Sequence, residues 1–565
     1  MPELPGPLRE KINSAQTVNG VSPAEPLVPY PSIPALLEEQ VDRYEQKPFL
    51  VFYSDEGYRK EYSYREFYEE VCKTANLLRR FGITRGDRVA SVSFNHADVV
   101  IQYFAAFLLG AVVVPINIGD DDRRISFILK NADVKLAFVR DEYLERTKRL
   151  RTTTGPLKVI IQVGKKVDPS LPHLQSELAK IDARFKAEER TERTDEALIV
   201  YTSGTSGVPR AVVLTQYNLL VDAMAIAEWN RIADDQRMMC VLPLHHVNGI
   251  VVTLMTPLYC GAGVVLNQRF HPERFFERIS IEKVSVVSVV PTILQFLLHA
   301  QLSMDAYKLA YFRHIICGAG PLTVELAMKF EQEFKIPIIH GYGLSETTCY
   351  SSFLPIDLPV EEHRQWMSKY GFPSIGVPLP VNDMSIHDEH GNEMAEGAKG
   401  EIVIRGHNVM KHYAQDPEVN EKTFTHGWFR SGDEGFFHYD EQGRKFFFIT
   451  GRMKEIIIRS GVNISPYEID EVLMKLPGVQ LGFAVGFEND WYGEEVGAYV
   501  KMKQNMEVSE HDVITHCRRQ LPYSKSPKVV LFGSDIPVTS TGKYERSACK
   551  ELFVQWKSVQ FAEKK

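Results

Sequence analysis

Apolar positions along the first half of the chain recur with two alternating periods. Phe67, Val71, Ala75 and Leu78 fall three and four residues apart, lining one face of a helix. Ser63 and Glu66 supply a capping box ahead of that stripe, and Gly82 supplies a stop behind it. Shorter apolar runs at 88–93 and 111–115 read as strands, and the segments 97–109 and 123–131 read as helices. This βαβα rhythm predicts a mostly parallel sheet covered by helices. The most membrane-like run, 99–115, contains Gln102, Tyr103 and Gly110 and ends in proline, so it reads as a buried helix feeding a buried strand. Residues 1–30 are proline-rich without periodicity and are expected to form a surface arm, with folded sequence starting near Ile33. The charged stretch 184–196 reads as a solvated connector.

Beyond that connector the strands run into glycine turns. Tyr201-Thr-Ser-Gly-Thr-Ser-Gly-Val-Pro-Arg210 joins two apolar runs of strand type. Gly204 and Gly207 let backbone N–H groups turn to one point, and Thr202, Ser203, Thr205 and Ser206 add hydroxyl donors. Arg210 adds a fork of charge-assisted donors. No Asp or Glu occurs between residues 197 and 221, which suits an anion. The P-loop pattern does not fit, because no Gly-Lys-Ser/Thr closes the loop. A polar hairpin turn uses the same residue types, and the loop alone does not separate the two readings.

Three further stretches end strands in the same manner. Residues 238–242 lead into Pro243-Leu-His-His-Val-Asn-Gly249, where neither His245 nor His246 has metal-ligand spacing to a second cluster. Residues 315–316 precede Cys317-Gly318-Ala319-Gly320, and 336–339 precede His340-Gly-Tyr342-Gly343-Leu-Ser345-Glu346. In open α/β sheets ligands bind outside the carboxyl ends of strands, so a flat ring fits between the Gly318 turn and Tyr342. Glu346 offers a carboxylate beside hydroxyl donors, suited to Mg²⁺ held with substrate phosphates, or equally to a helix cap. Asp433, in the glycine-rich stretch 427–435, suits either a ribose diol or an ordinary turn.

From Arg452 and Lys454 onward the character changes to a small α+β unit. Its strands are expected near 483–487, 496–502 and 528–532, with a helix at 513–521. Another helix is opened by Ser465 as cap, Pro466 in the first turn and Glu468 as capping-box acid. Lys543 sits at the tip of a Ser/Thr/Gly loop before the last helix.

Length and charge narrow the partners. A chain of 565 residues is too long for one core. Its net charge of -8 comes from interspersed groups without a basic block, so neither nucleic acid nor an anionic membrane is expected as partner. The seven cysteines are scattered with no Cys-x-x-Cys pair, which suits a reducing compartment, the cytoplasm by default. The N-terminus has neither basic cap nor apolar core and does not read as a secretory signal, and no transmembrane segment is expected.

Read jointly, the motifs resemble the adenylate-forming superfamily: acyl- and aryl-CoA synthetases, adenylation domains of nonribosomal peptide synthetases, and beetle luciferases. The family's signatures Tyr-Thr-Ser-Gly-Thr, Gly-Tyr-Gly-x-Ser/Thr-Glu, Ser/Thr-Gly-Asp, Gly-Arg-x-Lys/Asp and a terminal Gly-Lys all occur here in that order. The resemblance implies an α/β fold: a large multi-sheet N-terminal domain over 1–450 with mostly parallel sheets, a hinge at 451–454, and a small mobile α+β lid over 455–565. It implies that Thr202, Ser203, Gly204, Thr205, Ser206, Gly207 and Arg210 hold the triphosphate of ATP. Gly318, Ala319, Gly320, Tyr342 and Gly343 would hold adenine, Ser345 the α-phosphate, and Asp433 and Arg452 the ribose.

By the same resemblance Glu346 holds Mg²⁺, His246 sits beside the substrate carboxylate, and Lys543 reaches the reacting groups. Lys454 would be the hinge, and Gly461 would line a tunnel for the pantetheine arm of coenzyme A. One departure stands out: the family's Gly-Lys-Pro-Lys-Gly is here Gly207-Val-Pro-Arg210-Ala211, with one cation lost and another exchanged.

The implied reaction is ATP-dependent activation of a small-molecule carboxylate to acyl-AMP, then transfer to coenzyme A. Amino-acid adenylation is disfavoured, because the Phe-Asp element of those domains is replaced by His246-Val-Asn248. The apolar helix Thr292-Ile-Leu-Gln-Phe-Leu-Leu298 favours a medium- or long-chain fatty acid over an aryl acid. An aryl-CoA ligase, an acyl-AMP ligase loading carrier-protein phosphopantetheine, and a silent acyl or nucleotide binder are the alternatives.

Overall fold

The capping box forms as its spacing dictates. Ser63 Oγ accepts from Glu66 N at 3.2 Å, and the Glu66 carboxylate accepts from Ser63 N at 2.8 Å. The helix Tyr64–Arg80 buries Phe67, Val71, Ala75 and Leu78. The apolar run after it is a helix, Ala97–Leu108, buried on every side, followed by the buried strand Val112–Ile116. None of the described helices is long and apolar enough to cross a membrane. These elements come from a computed structural model, which describes residues 4–186, 189–202, 209–300, 302–504, 506–534 and 546–561.

Two large sheets follow from the alternation of strand and helix. A seven-stranded sheet runs His412–Tyr413, Arg210–Thr215, Glu196–Thr202, Val112–Ile116, Arg88–Val92, Val134–Arg140, Val159–Val163. It is parallel from Glu196–Thr202 onward. A nine-stranded sheet has at its centre Ile338–Tyr342, His314–Cys317, Val286–Val289, Arg237–Cys240, Gly263–Asn267 and Pro48–Tyr53, all parallel, with antiparallel strands at its edges. One apolar cluster, including the helices Ala97–Leu108 and Gln216–Trp229, joins the two sheets. A third, antiparallel sheet is built on the long hairpin Trp428–Tyr439 and Lys445–Arg452.

The C-terminal part carries its own sheet of Val462–Ile464, Ile457–Arg459, Gly493–Met502 and Val479–Asn489, with Val529–Phe532 parallel to Gly493–Met502. Helices Pro466–Met474 and Glu510–Gln520 cover it over a separate apolar core. The chain is thus mixed α/β, with a large multi-sheet N-terminal part and a smaller C-terminal one.

Two local expectations are overturned. The N-terminal arm contains a helix, Gly6–Ala15, that buries Leu8, Ile12 and Ala15 and packs on the third sheet. Those residues lie four and three apart, a stripe too short to stand out among prolines, and Pro5 at the helix start is compatible with it. Ser465 does not cap its helix: its hydroxyl donates to the Thr450 carbonyl, and Glu468 pairs with Lys525 at 2.8 Å. A capping box requires that side chains stay local, and here tertiary partners outcompete the backbone N–H groups.

Candidate active site

Tyr342 closes the strand Ile338–Tyr342, and its hydroxyl donates to Asp433 Oδ2 at 2.6 Å. Asp433 is fully buried and stands directly opposite Arg452 in the antiparallel hairpin, with Arg452 Nε 2.8 Å from Asp433 Oδ1. That N–H is not aimed along the contact, so Oδ1 is held by charge and has no hydrogen-bond partner among the described residues. Asp433's charge raises the pKa of Arg452, and burial, reinforced by Asp433, raises that of Tyr342.

The expected glycine loop around Asp433 is a strand instead. Gly435 sits at a register shift, where a Cβ would lie 2.4 Å from the Phe448 carbonyl oxygen. Its glycine marks a bulge and a close strand approach rather than a turn.

The next turn positions Glu346. At Gly343 a Cβ would lie 1.9 Å from the Cys349 carbonyl oxygen, so only glycine fits. The short turn Ser345–Thr347 follows, and Thr348 takes the left-handed region with φ 62°. The buried Glu346 carboxylate accepts from the Tyr413 hydroxyl at 2.7 Å. Tyr413 belongs to the edge strand His412–Tyr413, which pairs with Arg210–Thr215, and the Arg210 guanidinium lies 5.7 Å from its ring centre.

Thr202 and Arg210 are partners across the hairpin base. The intervening Ser203, Gly204, Thr205, Ser206 and Gly207 lie outside the described residues, as does Lys543. Lys454, exposed at the surface, is pushed down by desolvation and then by the charges of Arg452 and Arg210, with Glu455 and Asp433 opposing. Three cations, Arg210, Arg452 and Lys454, and three carboxylates, Glu346, Asp433 and Glu455, from four separated segments therefore share one field.

The Gly318 turn abuts this group. A Cβ on Gly318 would lie 2.8 Å from the Gly341 carbonyl oxygen, one residue before Tyr342, and 2.6 Å from the Tyr350 hydroxyl. Ala319 has φ 63°, and Gly320 faces Pro291. His246 lies in the turn before a π-helix, Asn248–Met255, its ring 4.4 Å from that of His245. Gly461 occupies an exposed two-residue hairpin tip with Ser460, both at positive φ, and a Cβ there would meet nothing within 4 Å.

Sequence reasoning passed over the residues that hold this group in place. Tyr413 carries no local signal, because its strand is two residues long. Arg546 is buried, paired with Asp470, donates to the Ala484 carbonyl at 2.7 Å, and lies 3.5 Å from Glu455. It fixes the chain three residues beyond Lys543.

The donor set fits a magnesium ion. Among the described residues no group of three or more His, Cys, Asp or Glu is arranged for a metal. Mg²⁺ bound with nucleotide phosphates takes only one or two protein carboxylates, and a lone buried carboxylate such as Glu346 is compatible with that.

Comparison with known proteins agrees with this geometry. The family model for AMP-binding enzymes matches residues 37–414, and that for the AMP-binding enzyme C-terminal domain matches 468–543. The chain is 31% identical over 522 residues to the sulfoacetate–CoA ligase of Cupriavidus necator, covering 92% of this chain and 97% of that protein. It is 28% identical over 551 residues to the long-chain-fatty-acid–CoA ligase of Bacillus subtilis, covering 93% and 95%. The crystal structure of ATP-bound MatB from Rhodopseudomonas palustris has the same fold, with a TM-score of 0.81 at 24% identity over 92% of this chain and 99% of that one. Matched by family models in both its large and small parts, the chain belongs to the AMP-binding enzymes and is an adenylate-forming acid–thiol ligase of the CoA-ligase kind.

Proposed function

We propose that this enzyme joins a carboxylic acid to coenzyme A in two steps, with the residues above in the roles their placement suits. A carboxylate oxygen attacks the α-phosphorus of ATP, a C(O)–O–P bond forms, and the α–β phosphoanhydride breaks to release pyrophosphate. The thiol sulfur of coenzyme A then attacks the acyl carbon, losing its proton, and AMP leaves as the C–O bond breaks. Neither step calls for a covalent enzyme intermediate, so positioning and charge neutralisation carry the rate.

Asp433 is the ribose ligand in this reading, because its buried Oδ1 is an acceptor in want of a donor. Tyr342 and the Gly318–Gly320 turn flank the base. Thr202, the hydroxyl loop and Arg210 take the triphosphate, Ser345 the α-phosphate and His246 the acid's carboxylate. Glu346 would hold Mg²⁺, which when bound neutralises phosphate charge. Lys543 stabilises the transition state of the first step, and Arg546 positions it. Lys454 is the hinge about which the C-terminal part exchanges Lys543 for the Gly461 loop.

The observation that carries the reading is the convergence of Tyr342, Asp433 and Arg452 with Glu346 and Arg210. The apolar helix that favoured a fatty acid, Pro291–His299, packs Ile293, Leu294 and Leu297 into the sheet core. Those side chains are spoken for, and the helix no longer argues for an alkyl tail.

Carboxylate-dependent ATP–pyrophosphate exchange tests the reading. Lys543→Ala is expected to lower exchange by about 10²–10³-fold while leaving thiolysis of supplied acyl-AMP largely intact. Equal loss of the two half-reactions refutes the role of Lys543, and absence of exchange with any acid refutes the ligase reading.

A further inference from the structure

The turn that carries His246 continues into a buried polar corner. Asn248, two residues on, donates from Nδ2 to the Tyr350 hydroxyl at 3.3 Å. That hydroxyl presses against the Gly318 turn, so the wall stands one side chain away from the turn assigned to the base. The wall is fixed. Tyr350 is 2% exposed, its ring centre lies 4.3 Å from that of Phe353, its N–H donates to Asp222 Oδ2 at 3.4 Å, and its carbonyl accepts from Asn408 at 2.8 Å.

Buried polar atoms without partners gather at this wall. Asn248 Oδ1, on a side chain 6% exposed, has no hydrogen-bond partner among the described residues, and neither does His245 Nε2 in the same turn, while the fully buried Ser288 hydroxyl meets that of Tyr350. Ser288 and Asn248 both act on the Tyr350 hydroxyl. An unsatisfied buried polar group is costly, so their clustering marks a place where a ligand's polar atom completes the bonding. The π-helix that begins at Asn248 belongs to a class of distortion that often marks functional sites.

The groups at the wall are also uncharged. Burial takes His245 down to about 4, leaving a neutral ring at pH 7, and holds Tyr350 as a hydroxyl. Cys317, Cys349, Ser288 and Asn248 are the groups that act on that hydroxyl, and none is basic. A second carboxylate or a sulfonate here would lack a counter-charge.

We infer that the acid taken by this site is short and carries an uncharged hydrogen-bonding oxygen, a hydroxyl or a carbonyl, that docks on Asn248, Ser288 and Tyr350. The inference rests on the ligase reading and names its substrate class. An alkyl chain of fatty-acid length meets the Tyr350 wall, and a dianion meets no cation among the groups named at this wall.

The test compares butanoate, 4-hydroxybutanoate, 4-oxopentanoate, succinate, octanoate, hexadecanoate and benzoate in ATP–pyrophosphate exchange with the full-length enzyme. The hydroxy or oxo acid is expected to exceed butanoate in kcat/KM by at least about tenfold, because a site built to bind an oxygen rejects the analogue lacking it. Asn248→Leu and, separately, Ser288→Ala are expected to reduce that ratio toward one; a ratio taken within one variant is insensitive to the fraction folded. Tyr350→Ala is expected to admit octanoate. Octanoate, hexadecanoate, benzoate or succinate outperforming the hydroxy and oxo acids overturns the inference while leaving the ligase reading standing, as does an unchanged ratio in both variants. No exchange with any acid overturns both.

Discussion

Asp433 serves two partners with one carboxylate: Oδ2 takes the Tyr342 hydroxyl and Oδ1 faces Arg452. Removing its charge leaves a half-buried guanidinium unpaired, which costs more than losing one neutral hydrogen bond. Asp433→Asn is therefore expected to weaken binding of a non-hydrolysable ATP analogue at least about tenfold, and Tyr342→Phe only a few-fold, about 1 kcal/mol. Titration calorimetry reads both. Equal losses, or no loss for Asp433→Asn, contradict the ribose assignment. The departure at Arg210 belongs to this scale as well, since its guanidinium lies over Tyr413, the partner of Glu346. An ammonium at that position would keep the charge and lose the planar contact.

Among the elements, the buried helix Gln216–Trp229 carries a titratable group under the Glu346 turn. Asp222 is fully buried, accepts from Asn408 Nδ2 at 2.8 Å, and is pushed up to about 8 by burial, against the lowering effect of Asn408. The sign follows from linkage. An acid whose folded pKa is raised keeps its proton in the folded state after the unfolded chain has lost it, so stability falls as pH rises from its ordinary 3.8 toward about 8. The slope from this group is at most about 1.4 kcal/mol per pH unit. Asp222→Asn mimics the protonated form and is expected to flatten this slope, raising Tm near pH 8 relative to the parent and changing it little near pH 4. Parallel melting curves across that range for parent and variant rule the account out.

Across the whole molecule one buried acid bridges the two parts. Glu471, on the C-terminal helix Pro466–Met474, accepts from Val324 N at 2.9 Å, at the start of the helix Val324–Phe334 in the large part. Burial pushes its carboxyl up to about 8, although the Val324 N–H opposes the rise. This docked arrangement therefore favours the proton. It is expected to loosen as pH rises from the ordinary 4.5 toward about 8, where a free glutamate is already ionised and the docked one must become so. Glu471→Gln is expected to keep the parts docked across that range. Fluorescence transfer between labels on the two parts reads the difference, and an identical pH response in parent and variant sinks it. The division at 451–454 into domain, hinge and lid remains our proposal on the same footing.

Much of this architecture was legible because local rules and tertiary context agree. The Ser63 box, the stripe at Phe67 to Leu78, the buried run beginning at Ala97 and the strand-to-glycine turns at Gly318 and Tyr342 each follow from spacing and residue type, which act over a few residues. Signature order alone placed the chain in its family. Where distance along the chain enters, local reasoning fails. Asp433 looked like a loop residue because a bulge glycine and a turn glycine are the same letter. Ser465 looked like a cap until Thr450 took its hydroxyl, and the helix at Thr292 looked like an acyl wall until the sheet core claimed its apolar face. Only the tertiary structure decided that Tyr350, Asn248 and Ser288 share one desolvated corner, because what a buried polar atom is worth depends on which partners folding leaves it.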